Sequence, residues 1–340
     1  MERDPGEPSI QMRAFFWLIL GSLSVYFAEV VSGSDIFPFF KPVSWILVFP
    51  LYTLHTLVLW TAVFRHGRGR LYALFPAGAL FGLYEAYITK VIWSPTWNEA
   101  PIRLGGVAIV ETLLLVLFWH AFMAFILPLF LAETALTSSR EVLIGLPVRA
   151  RSALASNAAS RLAYILPVVG GLFQSVGAPT PFDSLASGAL NSAFLIVLTV
   201  IWRRRGGDRY RFRDLLPGPK GFRILLVLLG ADYLLLGSLL RPEELPGLGA
   251  QATVWFLYVF FGLLLYTGVR LSGREEEGSS TPYELNSSVR RMGVMAVLFI
   301  AGSVIGSLTG LGNVVALFVW VLGIAFGLTT LGLTIRKLYF

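Results

Sequence analysis

An all-α, polytopic membrane bundle of about ten spans is the fold the sequence predicts, and three observations predict it. Of 340 residues, 56% are apolar and only 14% charged, against roughly 25% charged in an ordinary soluble domain. Runs such as 43–64, 254–269 and 314–335 approach the ~20 apolar residues that cross a ~30 Å hydrocarbon core as a helix. These runs are also continuous, whereas barrel strands alternate polar and apolar residues, so a helical bundle is preferred to a closed barrel.

Apolar runs read against breaks place helices near 14–31, 43–64, 71–92, 105–133, 162–176, 182–202, 223–240, 251–271, 292–309 and 313–335. The first is retained, because Ala28-Glu29-Val30-Val31 continues into Ser32-Gly33-Ser34-Asp35 with no small-residue cleavage site. The fifth is short and holds Pro167 and Gly170-Gly171, which fits either a tilted or a re-entrant element. Between the fourth and fifth, Ser138 to Arg161 alternates Arg with Leu, Val and Ala, as in a helix lying on the inner surface or a solvated loop. Residues 203–222 form a basic linker with the turn signal Pro217-Gly218-Pro219, separating a first helical part, 1–202, from a second, 223–340. In the last two helices Gly302, Gly306 and Gly310, then Gly323 and Gly327, recur at every fourth place, a pattern for close helix packing.

With the N-terminus inside, all of the 27 basic residues except Lys41, Lys90, Arg103 and Arg241 fall on one side of these spans. That bias predicts cytoplasmic N- and C-termini in a cell-membrane protein. The net charge of +7 sits in short loops, where it faces anionic lipid headgroups; the bilayer, and not nucleic acid, is the expected partner. The absence of cysteine excludes disulfides, thiol catalysis and thiolate metal sites. No metal or cofactor is expected, and Gly206-Gly207 lacks the Gly-Lys-Ser/Thr of a nucleotide loop. The sequon Asn286-Ser287-Ser288 falls on the predicted inner side.

Charges inside hydrocarbon cost roughly 2.5–3.5 kcal/mol each, so they need a partner or a cavity. Glu29 near the outer end of the first helix, Glu85 and Lys90 in the outer half of the third, and Glu111 in the outer third of the fourth lie at similar depth. Three carboxylates against one lysine leave excess negative charge unless one is protonated or a cation visits. On the third helix Gly78, Gly82, Glu85 and Thr89 form one stripe whose glycines let a neighbour close against Glu85. His55 shares a face with Tyr52 and Thr56 near mid-membrane. His120 lies nine residues beyond Glu111, which puts the two on opposite faces of a regular helix unless a distortion rotates it. Glu29, Glu85, Lys90, Glu111 and His55 are therefore the candidate solute- or ion-binding residues. Glu133 at the inner end of the fourth helix reads as interfacial, and Asp232 is an isolated acid in the seventh.

Three blocks together, Ala28 to Ser34, Gly82-Leu83-Tyr84-Glu85 with Ser94-Pro95-Thr96-Trp97, and His120 with Pro128 and Glu133, resemble a group of uncharacterised prokaryotic polytopic membrane proteins over about residues 14–136. The resemblance implies a common fold for that part. Glu85 and His120 are also distantly similar to the glutamate and histidine with which CAAX-type intramembrane proteases activate water. Tyr84 stands where that family has its first glutamate and Thr89 where it has arginine, and no histidine follows His120. The expected function is a small-solute or ion transporter with a carboxylate site. Two alternatives are an intramembrane hydrolase, with Glu85 and His120 catalytic, and a non-catalytic scaffold subunit.

Overall fold

The computed structural model describes residues 6–98, 100–146, 151–152, 157–275 and 288–340, the side chains of 157–160 excepted. Among them the chain is helical almost throughout. The strand content is one two-residue antiparallel hairpin, β1 (Arg103–Leu104) and β2 (Val107–Ala108), with Arg103 opposite Ala108.

Among the described residues, eight helical stretches are long and apolar enough to cross a membrane: Ile10–Val30, Pro42–His66, Ile109–Leu136, Pro181–Arg204, Pro219–Leu239, Leu248–Arg274, Val289–Thr309 and Leu311–Tyr339. They coincide with eight of the ten expected spans. Their outward faces carry large apolar side chains, as on Pro219–Leu239, where Leu226, Val227, Leu228, Leu234, Leu235 and Leu239 are exposed. Water would penalise such a surface, while lipid is as apolar as leucine and does not. The protein is an integral, multi-pass membrane protein.

The two remaining segments differ from the expected helices in their bounds. The expected fifth helix is the longer Asn157–Gln174, continued by a single 3-10 turn, Ser175–Gly177. The expected third, 71–92, is broken into Leu71–Gly82 and Tyr84–Tyr87, and the chain then turns at Lys90 with φ 58°. Lys90 is thus not on the helix. Its buried ammonium donates to the carbonyls of Ile88, Gly237 and Leu240, so a turn pinned by three charge-assisted bonds replaces the last helical turns.

The chain divides into two compact units that interleave along the sequence. The first lies within Met1–Thr53, Pro128–Leu216 and Glu276–Val319; the second is Leu54–Leu127, Pro217–Glu275 and Trp320–Phe340.

In the first unit, Asn157–Gln174 and Pro181–Arg204 pack on Val289–Thr309. Gly302, from the predicted glycine series, lets its helix close on the backbone of Val168. A buried seam of neutral polar groups crosses these helices: Gln174 donates to Ser187 Oγ at 3.0 Å, Ser303 donates to Gln174, and Ser187 and Asn191 donate to the Ile36 carbonyl at 2.6 and 2.9 Å. Glu133 is fully buried, more than interfacial, because its carboxylate accepts the amides of Glu141 and Val142 and fixes the short helix Glu141–Gly145. Of the expected surface helix over Ser138 to Arg161, residues 147–150 and 153–156 lie outside the described residues, as do Asn286 and Ser287 of the sequon.

In the second unit, Leu71–Gly82 runs antiparallel to a π-helical segment, Leu115–Ile126, set between Ile109–Leu114 and Leu127–Leu136. The approach is as close as the glycine stripe predicts. A Cβ on Gly78 would lie 2.7 Å from Ala121 Cα, and one on Gly82 2.9 Å from Val116 Cα and 3.1 Å from His120 Cβ.

Candidate functional site

The second unit holds a constellation of two histidines, a glutamate and three tyrosines, all buried except the half-buried Tyr233 and Tyr258. Each arrives from a different place: His55 from Val48–His66, Tyr84 and Glu85 from the short helix after the break, His120 from the π segment, Tyr233 from Pro219–Leu239 and Tyr258 from Leu248–Arg274. The break at Leu83 starts a new helix at Tyr84 and so sets the direction of both Tyr84 and Glu85. The π segment alters the angle between successive side chains, because its backbone rings close from i to i+5. Even so, His120 and Glu111 do not share one pocket.

His120 Nε2 lies 2.9 Å from the Tyr84 hydroxyl and 3.3 Å from Glu85 Oε1, while its Nδ1 lies 3.0 Å from the Leu115 carbonyl. A carbonyl only accepts, so Nδ1 carries a proton and, in the neutral ring, Nε2 is an acceptor. An ionised Glu85 facing that lone pair would be repelled. The Tyr84 hydroxyl, the nearer group, can donate to that same lone pair, so Tyr84 and Glu85 converge on one nitrogen. The other carboxylate oxygen of Glu85 accepts from the Thr89 hydroxyl. Glu85 is 6% exposed and His120 2%, so neither charge is shared with bulk water.

His55 belongs to a second string. Tyr258 donates to the Leu83 carbonyl at 3.0 Å. Its only proton being committed there, it accepts from Tyr233 at 3.4 Å, and Tyr233 in turn accepts from His55 Nε2 at 3.1 Å. This network assigns His55 the Nε2–H tautomer, opposite to the neutral form of His120. The His55 ring stacks on Phe81 at 4.8 Å between centroids and lies 5.6 Å from Tyr84, which brings the two strings side by side.

Two other candidate residues of this unit have separate surroundings. Lys90 is engaged by the three carbonyls already named. Glu111, 2% exposed, accepts from Asn98 Nδ2 at 2.7 Å. Glu29 belongs to the first unit, on a π turn, Tyr26–Val30, where its carboxylate accepts from the hydroxyls of Tyr52, at 2.6 Å, and Ser34. Asp232 precedes Tyr233 and has a buried oxygen, Oδ2, with no hydrogen-bond donor among the described residues. Among the described residues no group of three or more His, Cys, Asp or Glu is placed to hold a metal ion.

Sequence reasoning passed over Tyr233 and Tyr258. For the tyrosines a signal existed: a phenol inside an apolar helix needs a partner for its hydroxyl.

A family described as "Uncharacterized membrane protein family" matches the chain over residues 18–339. An uncharacterized protein of Archaeoglobus fulgidus is 34% identical over 270 residues, covering 79% of this chain and 82% of that one. No solved structure matches.

Proposed function

From a chain that belongs to this uncharacterized membrane protein family, we propose a transporter of a small solute or ion in which Glu85 and His120 exchange the coupling proton. The observation that carries the reading is the 3.3 Å separation of His120 Nε2 and Glu85 Oε1 in an apolar bundle, beside a second string of exchangeable groups, Tyr258, Tyr233 and His55. One catalytic water needs a single acid–base pair. A run of hydroxyls and imidazoles across several helices suits movement of a proton. The positive-inside distribution supports a cell-membrane location with both termini cytoplasmic.

The test is proton flux in proteoliposomes carrying an internal pH dye, driven by gradients of a broad solute and ion panel. Wild type is expected to move protons with at least one gradient, and Glu85→Gln and His120→Gln to reduce that flux at least tenfold. Equal flux in wild type and both variants across the panel refutes the reading.

One observation favours a second reading, an intramembrane hydrolase. Glu85 and His120 are close enough to share a single water, with Glu85 as general base. Cleavage of a fluorogenic lipid or peptide by wild type and not by Glu85→Gln, without proton flux, selects it.

A further inference from the structure

Near the start of Ile109–Leu136, Glu111 carries a buried oxygen that has no hydrogen-bond donor among the described residues. Glu111 is the third residue of that helix, the position from which a glutamate ordinarily reaches back to the amide of the capping residue. Here it does not. The capping residue is Ala108, whose amide donates to the Ile92 carbonyl at 2.8 Å, and the next amide, of Ile109, donates to the Ile102 carbonyl at 2.9 Å. Asn98 supplies one donor to Oε1, while Oε2 is buried and has no donor among the described residues.

The cations of this neighbourhood are committed elsewhere. Lys90 serves the carbonyls of Ile88, Gly237 and Leu240; Arg103 serves those of Trp93 and Gly106; Arg241 serves those of Thr89 and Ser94 and pairs with Glu244. A buried carboxylate oxygen without donor or counter-ion is costly, and the cost disappears when a cation with an N–H bonds to it.

We propose that Glu111, held by Asn98, is the recognition point for a primary ammonium group, so that the transported species is a small amine or ammonium ion. An alkali metal ion fits less well: it needs several oxygens, whereas Asn98 presents its NH2 group, not its oxygen, to Glu111. The assignment of a transported species rests on the transport reading. Binding itself does not, and it is tested separately.

The experiment is thermal unfolding of the full chain in detergent at constant ionic strength and neutral pH, in the chlorides of methylammonium, tetramethylammonium, sodium and potassium. Methylammonium alone is expected to raise the midpoint by about 2 °C or more, and Glu111→Gln to abolish that rise. Equal midpoints in all four salts, or a rise that survives in Glu111→Gln, overturns the proposal. Should Glu111→Gln fail to fold, wild type decides: carbodiimide labelling of Glu111, mapped by peptide mass, slows at least threefold in methylammonium and not in tetramethylammonium if the proposal holds, and is equal in both if it does not. Loss of flux in Glu85→Gln with no methylammonium effect would retain the transporter and discard its amine; the converse would retain the binding site and discard the transporter.

Discussion

Replacing Gly82 with alanine tests whether close helix approach positions His120. The added Cβ would stand 2.9 Å from Val116 Cα and 3.1 Å from His120 Cβ, and the first of these is backbone that cannot swing aside. Carbon atoms rest at about 3.5–4.0 Å, so the π segment must retreat by roughly 0.5–1 Å. Added to the 3.3 Å between His120 Nε2 and Glu85 Oε1, that opens the pair to about 4 Å, beyond hydrogen-bond range. Overpacking costs about 1–3 kcal/mol, offset by at most ~1 kcal/mol of helix propensity, so the variant is expected to be less stable by about 0–3 kcal/mol. Gly230→Ala is the control: nothing lies within 4 Å of its added Cβ, and it gains propensity alone. Two assays read the outcome, thermal unfolding in detergent and the ¹⁵N spectrum of His120 in nanodiscs. Gly82→Ala should lower the midpoint and move the His120 Nε2 resonance, while Gly230→Ala does neither. An unmoved Nε2 resonance in Gly82→Ala would refute the argument that glycine contact sets the Glu85–His120 geometry.

Further consequences can be measured. In wild type, ¹⁵N spectra at neutral pH should show His55 protonated at Nε2 and His120 carrying its fixed proton at Nδ1; the reverse assignment contradicts the hydrogen-bond directions. Glu133→Gln places an amide NH₂ where backbone amides now donate and should cost about 1–3 kcal/mol. Faster limited proteolysis around Glu141–Gly145 is the readout, and an unchanged rate would remove the anchoring role. Lys90→Met strips three carbonyls of a donor and should lower the unfolding midpoint by several degrees, whereas an unchanged midpoint would mean that water replaces the ammonium without loss.

The legible part of the fold was the part that lipid dictates. Apolar length located the eight helices that, among the described residues, are long and apolar enough to cross a membrane, and the spacing of Gly78 and Gly82 foretold where two helices touch. Two departures were hidden for physical reasons. Periodicity assumes a uniform 3.6-residue turn, and nothing in Leu115-Val116-Leu117-Phe118-Trp119-His120 announces a π segment, since its cause lies in packing. The break after Gly82 was hidden because Lys90 is stabilised by carbonyls of Gly237 and Leu240, about 150 residues away in sequence. The site was half legible. Glu85, His55 and His120 stood out as costly groups in hydrocarbon, while the tyrosines that complete the strings look like ordinary apolar bulk until their hydroxyl partners are known. The seam of Gln174, Ser187, Asn191 and Ser303 escaped because uncharged polar residues cost too little to attract notice, although Ser184, Ser187 and Asn191 do share a helical face.

The π segment also makes the second unit unusually sensitive to chain length. Each of its backbone rings contains one residue more than an α-helical ring, so side-chain direction after Leu115 depends on how many residues lie between Glu111 and Pro128 as much as on which residues they are. Removing a single residue there would keep hydropathy, charge and span length nearly unchanged, yet would turn His120 or Pro128 by about 100° about the axis. Registration errors of this kind are invisible to composition, and they would separate Glu85 from His120 without altering either residue.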